Sequence, residues 1–371
     1  MDKMNSITNR QLVMLLIMTL TCYTVIVIPK VMAQTAGTGS WLTLIVAALI
    51  FGLAAVMIVS INSKFQGKML FDYGPQLIGK TGTYIVVIFY VLYFMFILAY
   101  LITMKAKLLE AEFFPDTPLW AFPFIGIPVF GYIANKGITN AARLSELIGI
   151  VFIVSAMFVH VLMITQGKFS RILPVFNASE IGNYATGLKS AIFPFLGIEV
   201  LLAVPLTKVN GKRVKRTAFF TVLSIGLFYI LVVESCIMKV GIHDIVNYDD
   251  PLIVAIRDTA PKFMDVFTRL DILYLTIGFG AIFVGVSIVM AVIVEYLCKI
   301  FKKVKRQIVV ISVAILTYVQ FFIVKDIAHY DEFVTEFATY LGLVAAFLIP
   351  SVLFILTKTK RKKVKGKKDA V

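Results

Sequence analysis

Long apolar runs recur along this chain from end to end, and they limit the folds that are open to it. A helix that crosses a bilayer needs about 17–25 mostly apolar residues, and ten runs here are long enough to cross. Transmembrane strands alternate in polarity and are about 9–11 residues long, whereas these runs are unbroken and longer. The chain is 60% hydrophobic and 15% charged, against about 45–50% and about 25% in soluble domains. The sequence therefore predicts an all-α integral membrane protein.

The predicted spans, numbered one to ten in chain order, make up a single membrane domain over residues 1–371. They lie near 11–33, 41–61, 82–108, 118–134, 144–165, 188–206, 217–239, 270–298, 307–324 and 335–357. The fourth is the weakest, because it is short and contains three prolines. Two halves of five spans each, about 11–165 and 188–357, are expected to have opposite orientations.

The basic residues are distributed unevenly between the two sides of the predicted membrane. Of the 36 Lys and Arg, 25 lie in the N-terminus, the C-terminal tail and the loops after even-numbered spans, and 11 lie in the other loops. Basic residues mark the cytoplasmic side, so both termini are predicted to be cytoplasmic. This distribution accounts for the net charge of +15 without a nucleic-acid partner.

The tail at 358–371 begins with a dense run of Lys and Arg directly after the last span. Such a segment attracts anionic lipid at about 1 kcal/mol per basic residue near the surface. It also acts as a stop signal that fixes topology, and the sequence leaves both roles open.

Several motifs suggest chemistry that their context does not support. "GPQLIGKT" at 74–81 matches the phosphate-loop pattern, but that pattern needs a preceding strand and is here followed by span three. "NAS" at 177–179 is a glycosylation sequon, which matters only in a secretory pathway. The three His and three Cys are scattered, without metal-ligand spacing. No enzyme, metal or cofactor is therefore predicted.

Span six contains two helix-breaking residues and an acid within "AIFPFLGIEV" at 191–200. Pro194 removes a backbone donor and obstructs the carbonyl four residues back, and Gly197 tolerates unwinding. Glu199 would then lie in the first turn of the inner half, where the helix dipole favours negative charge. Interrupted helices occur in membranes only where they line a cavity or are buried against protein.

Span one has a related pattern. "TLTCYTVIVIP" at 19–29 clusters hydroxyl and thiol side chains near the middle of the span and places Pro29 toward its outer end. Interrupted segments at corresponding positions of two halves indicate a midplane binding site. The alternatives are a simple kink at Pro194 or Pro29, and a purely structural Glu199 that caps its half-helix or pairs with a buried base.

Short motifs in a shared order resemble the B subunits of spore nutrient-germinant receptors (GerAB-type) over essentially the whole chain. "ITNRQL" at 7–12 is similar to the family's "IS-x-x-Q-L", and "AGTGSWL" at 36–42 to its "AG-x-D-x-W-L". "LIGKTG" at 77–82 resembles "LG-K-x-x-G". "RILPVF" at 171–176, "FPFLGIEVL" at 193–201 and "FTRLDILYL" at 267–275 resemble the family's "LP-V" loop, its "F-x-G-x-E" helix and its "x-E-R-L-D" lead-in to span eight.

The resemblance implies a LeuT-like fold of the amino acid/polyamine/organocation transporter superfamily, a five-plus-five inverted repeat with helices one and six discontinuous. It implies a multi-pass protein of the inner membrane of a spore that acts with A and C subunits and binds a small nutrient, often an amino acid. Carried over by position, the ligand-binding residues are Cys22, Tyr23, Thr24, Tyr93, Phe94, Ile97, Leu196, Gly197, Glu199, Thr276 and Phe279. The family usually has glycine where Cys22 stands, and span eight is here less aromatic at its start.

Three functions remain open at the level of sequence. The first is a receptor subunit in which a nutrient at the midplane shifts an A–B–C assembly. The second is an amino-acid permease coupled to H⁺ or Na⁺, which would share the fold and the pocket. The third is a component of a nutrient-gated ion channel.

Overall fold

The computed structural model describes residues 7–206, 211–259, 270–327 and 330–368, and in that part of the chain the regular structure is entirely helical. The helices are α1 Asn9–Thr24, α2 Ile28–Ala36, α3 Ser40–Asn62, α4 Leu70–Glu112, α5 Ala121–Asn135, α6 Ile138–Gln166, α7 Ile181–Ser190, α8 Ile192–Phe195, α9 Gly211–Val240, α10 Pro251–Arg257, α11 Leu270–Ile300, α12 Arg306–Val324, α13 Tyr330–Leu343 and α14 Ile349–Lys368. Residues 267–269 of the span-eight motif, His329 and the last three residues of the tail lie outside the described residues.

The described residues include seven helical segments that are long and apolar enough to cross a membrane, and an eighth if the bent pair within 178–203 counts as one span. Predicted span one corresponds to the 16-residue α1 followed by the 9-residue α2. Predicted span four corresponds to α5, which has 15 residues. α1 by itself and α5 are each shorter than a regular span of about 17–25 residues. The all-α membrane architecture is confirmed, and the count of ten spans and the inverted repeat stay predictions.

Span one is interrupted between α1 and α2. α1 begins with a capping box in which Thr8 and Gln11 each accept a hydrogen bond from the other's backbone amide, at 3.2 and 3.1 Å, as this motif does at helix starts. It ends at Thr24, and a turn at 25–27 leads into α2. Pro29 lies in the first turn of α2, where its missing N–H has no helical partner to lose.

α4 contains 43 residues and is kinked at Gly79, whose φ of 77° and ψ of 170° are not helical. The phosphate-loop-like stretch at 74–81 lies across this kink, with helix on both sides. The strand that a phosphate loop requires is thus missing at this place, as the sequence context predicts.

α1 and α11 occupy the centre of the bundle, and α12 lies at its periphery. α1 packs against α6, α9 and α11. The span that begins at Tyr274 in α11 is 72% buried inside the protein, whereas the span formed by α12 is 28% buried. The peripheral helices therefore present apolar side chains outward, as expected of lipid-facing surfaces, and the central ones position the broken segments.

Candidate functional site

Span six is broken at Leu196 and Gly197. α8, which contains Pro194, ends at Phe195, Leu196 is extended, and Gly197 has a φ of 113°. Only glycine adopts such a φ without steric strain, so the sequence fixes the position of the break. The chain continues as a 3₁₀ helix over Ile198–Ala203, and not as the α-helical half that the sequence pattern suggests.

Glu199 folds back onto this break and is fully buried. Its two carboxylate oxygens lie 3.0 and 2.9 Å from the backbone nitrogen of Gly197, which donates to them. The hydroxyl of Tyr93, from α4, donates to Oε1 at 2.8 Å. The first amide of the inner half is therefore occupied by the chain's own carboxylate, in the location where a helix start favours negative charge.

Two polar side chains outside the predicted site anchor the broken helix. The hydroxyl of Tyr229 lies 2.9 Å from the Leu20 carbonyl oxygen and 3.0 Å from that of Pro194, so α9 joins the two interrupted spans. Asn62 donates from Nδ2 to the carbonyl of Leu201 at 2.6 Å. The sequence analysis missed both, although Asn and Tyr within apolar runs are the signal that would have indicated them, because interrupted membrane helices need such partners.

The hydroxyl groups near the break in span one fall into two sets. Thr19 and Thr21 each donate to the carbonyl four residues back, at 2.7 Å, and Cys22 directs its thiol to the Thr19 carbonyl at 3.1 Å. The hydroxyls of Tyr23 and Thr24 are buried and have no hydrogen-bond partner within the described chain. Buried polar groups are normally paired, so these two hydroxyls are available to a ligand.

Most of the predicted ligand-binding residues come together around the two breaks. They are Cys22, Tyr23, Thr24, Tyr93, Leu196, Gly197 and Glu199, with Phe94 and Ile97 buried on α4 beside them. The ring centroid of Phe94 lies 5.1 Å from that of Tyr93. A Cβ added to Gly197 would lie 3.0 Å from Thr19 and 3.7 Å from the ring of Tyr23, so the interrupted spans are in direct contact.

The two predicted residues of span eight lie elsewhere. Thr276 is exposed, and its hydroxyl donates to Ile272 at 2.7 Å. Phe279 packs against Phe113, with ring centroids 5.8 Å apart, beside an apolar cavity of about 30 Å³. α11 approaches span one closely at Gly285, where an added Cβ would overlap Cys22. Gly285 leaves room for the side chain of Cys22, the position at which the resembling family usually has glycine.

A cleft of about 940 Å³ opens on the outer side, which is the side opposite the start of α1. Ile26 and Val27, in the break of span one, are among the residues that line it. Its charged residues are Lys30, Lys105, Lys107, Lys189, Asp249, Asp250, Glu332 and Glu336. The cleft thus combines four basic and four acidic side chains.

Glu199 does not line this cleft, and three aromatic rings in contact, which we call the aromatic layer, connect the cleft to the break in span one. Tyr100 lines the cleft, and its ring centroid lies 5.5 Å from that of Phe193. Phe193 in turn lies 5.9 Å from Tyr23. The structure therefore has an open outer cleft and an aromatic layer between that cleft and the break in span one.

A second cavity, of about 530 Å³, lies on the inner side beside the end of the broken span six at Ala203. Two ion pairs line it. Lys299 lies 2.8 Å from Asp72, and Arg306 lies 2.8 Å from Glu295. These pairs connect the inner end of α11 to α4 and to the start of α12.

Two interrupted helices in contact within an all-helical bundle define the class of membrane proteins with the LeuT fold. The chain matches the structure of MhsT in complex with L-phenylalanine with a TM-score of 0.64 and 11% identity, over 95% of this chain and 98% of that one. It matches Mhp1, a nucleobase-cation-symport-1 transporter in a closed conformation with bromovinylhydantoin bound, with a TM-score of 0.64 and 13% identity, over 95% and 80%.

Residues 6–329 match the family model described as spore germination protein, and the chain belongs to that family. It is 24% identical over 339 residues to spore germination protein GerLB of Bacillus cereus, covering 89% of this chain and 88% of GerLB. It is 21% identical over 333 residues to the putative spore germination protein YfkT of Bacillus subtilis, covering 90% of each. The family resemblance noted from the sequence is confirmed, and the relatives and structural neighbours are germination proteins and transporters.

Proposed function

We propose that this protein is the nutrient-binding B subunit of a spore germinant receptor. It binds a small nutrient, an amino acid, between the broken spans one and six, and passes the signal to A and C subunits in the inner membrane of the spore. Its termini are cytoplasmic, and its basic tail contacts anionic lipid. Membership of the spore germination family supports this assignment. The observation that carries it is the fully buried Glu199 carboxylate at the break of span six, in contact through Gly197 with the break of span one, where the buried hydroxyl of Tyr23 has no hydrogen-bond partner within the described residues.

The negative charge of Glu199 at the break indicates that the ligand carries a positive group. An acidic side chain within a membrane span is expensive and normally pairs with a cation or lines a functional site. Glu199 has hydrogen-bond donors, Tyr93 and the amide of Gly197, and no ion pair within the described residues. The ammonium group of an amino acid supplies the missing positive charge. The hydroxyls of Tyr23 and Thr24 are donors placed to receive the ligand's carboxylate.

Binding at this position would be coupled to a change of shape. A ligand shifts a conformational equilibrium only through different affinities for the two states. Movement of Phe193 would open a path from the outer cleft toward Glu199, because its ring contacts both Tyr100 in the cleft and Tyr23 at the break. Phe193 belongs to α8, directly before the break. Opening of the aromatic layer would therefore reposition the outer half of span six, which is a movement that partner subunits can detect.

The test uses the purified full chain in liposomes with a panel of radiolabelled L-amino acids, and retained label is counted against protein. We expect label to saturate at a stoichiometric level and to be lost in Glu199→Gln, because the neutral amide does not attract an ammonium group. The matched control is Glu234→Gln, which neutralises a second, half-buried acid on α9. Equal loss in both variants, or loss of folded protein in parallel with loss of binding, would contradict the proposal.

A permease is the second candidate, and one observation favours it. The chain has cavities of about 940 Å³ on the outer side and about 530 Å³ on the inner side, with the Glu199 region between them, as alternating access around a midplane site requires. The same liposome experiment distinguishes the two functions. Retained label that rises far above the amount of protein would assign transport.

A further inference from the structure

Two opposite charges that line the outer cleft form no ion pair with each other. Of the eight charged residues there, Lys30 pairs with Asp249 at 3.4 Å and Lys189 pairs with Glu336 at 3.2 Å. Lys105 and Asp250 both line the cleft and attract each other electrostatically. Neither forms a hydrogen bond through its side chain or an ion pair with any residue in the described ranges.

Asp250 lies at the start of α10, a position where an aspartate side chain usually accepts a hydrogen bond from the helix backbone. It is the N-cap residue of α10, yet its side chain makes no capping hydrogen bond. Aspartate is favoured at N-caps because its carboxylate accepts from the first amides of the helix. Burial, and then the negative charge of Glu112, raise the pKa of Asp250, while Lys105 acts in the opposite direction. This carboxylate lines the cleft and forms no ion pair within the described part of the chain.

Lys105 lies on the wall of the cleft that α4 forms. It is 12 residues beyond Tyr93 on α4, roughly 18 Å along the helix axis at about 1.5 Å per residue. It is half-buried and borders both the outer cleft and the small apolar cavity beside Phe279. Removing a lysine ammonium group from water costs free energy unless an anion takes the place of the lost water molecules.

We propose that Lys105 and Asp250 are the two poles of a second, outer binding site for a zwitterionic amino acid. The ligand's carboxylate binds the ammonium of Lys105, and its ammonium binds the carboxylate of Asp250. The cleft of about 940 Å³ has room for such a molecule. The site holds the ligand outside the aromatic layer, before it reaches Glu199. The inference rests on the proposed function only for the chemical class of the ligand.

The experiment uses a thiol reporter in the cleft and leaves both poles intact. Met104→Cys places a thiol beside Lys105 on the cleft wall. The native Cys22 and Cys236 are buried, and Cys298 is half-buried, so Cys298→Ser is included throughout. The full chain in nanodiscs is labelled with a water-soluble, membrane-impermeant thiol reagent. The probes are a mixture of L-amino acids, acetate alone and methylamine alone.

We expect the amino-acid mixture to slow labelling of the reporter, and acetate and methylamine to have little effect, because each engages one pole only. Lys105→Met and Asp250→Asn should each raise the concentration for half-protection about tenfold or more, since each removes a charge-assisted contact. Lys107→Met is the matched control, because it removes a lysine of the same cleft that the proposal does not use, and it should change little. Glu199→Gln should leave protection unchanged, which separates this site from the midplane one.

Three results would overturn the outer site. The first is protection that is lost in Glu199→Gln and kept in Lys105→Met and Asp250→Asn, because the reporter would then sense midplane binding. The second is protection by acetate as strong as that by the mixture, which would indicate a simple anion site. The third is labelling at the same rate with and without amino acids at every concentration. None of these results depends on whether label is retained at Glu199 in liposomes.

Discussion

At the scale of single residues, Tyr229 connects the two interrupted helices through one hydroxyl. The freed carbonyl of Pro194 and the carbonyl of Leu20 both lie within 3.0 Å of it. In Tyr229→Phe the ring remains but the donor is lost. A buried acceptor left without a partner costs about 1–3 kcal/mol, so we expect a lower midpoint of thermal unfolding for the purified protein. Tyr132→Phe is the control, because Tyr132 is 66% exposed; an equal shift in both variants would contradict the role of Tyr229.

The individual residues also show how much of the site can be predicted from the sequence. Pro194, Gly197 and Glu199 are conspicuous because helix breakers and an acid are rare in an apolar run, and the structure breaks span six at Gly197. The hydrogen bond between Glu199 and Tyr93 is harder to predict from the sequence, because Tyr93 is one of several tyrosines on its helix. Only the rotation of α4 directs its hydroxyl to the carboxylate at 2.8 Å, and rotation depends on packing between helices.

At the scale of elements, α1 and α11 approach each other closely at one point. Gly285 faces Cys22 there, and an added Cβ would overlap it. We expect Gly285→Ala to lower stability by about 1–3 kcal/mol, the usual effect of overpacking a tight core. The double variant Gly285→Ala with Cys22→Gly should recover part of the loss, because it removes the overlap with the Cys22 side chain but leaves that with the Met18 carbonyl. Unfolding midpoints of the two single variants and the double variant measure this coupling, and purely additive effects would contradict it.

The register of α11 is harder to predict from the sequence than the break in span six. Thr276 and Phe279 were carried over by position and stay predictions, whereas a close approach of α11 to span one is at Gly285, nine and six residues further along. Between Thr276 and Ser287 the helix has no polar side chain that would indicate which residue faces span one. Span six, in contrast, carries such residues, and its break lies within the predicted stretch.

At the scale of the whole molecule, the two cavities differ in how they are closed. The aromatic layer borders the outer cleft toward the break in span one, whereas the inner cavity is bordered by the ion pairs Asp72–Lys299 and Glu295–Arg306. Partly exposed ion pairs contribute modestly, at about 0–1 kcal/mol each. Such pairs restrain a movement without locking it, which suits an element that must open reversibly.

Breaking these inner pairs should therefore open the inner side without unfolding the protein. Ala203→Cys places a thiol at the wall of the inner cavity, where Ala203 is 1% exposed. With Cys298→Ser in the background, we expect Lys299→Met combined with Arg306→Met to speed its reaction with an impermeant thiol reagent in nanodiscs. Lys136→Met and Arg143→Met, which remove basic charge from the same cavity but not from these pairs, serve as the matched control. Faster labelling in the control as well would mean that charge around the cavity attracts the reagent, and that the ion pairs do not close it.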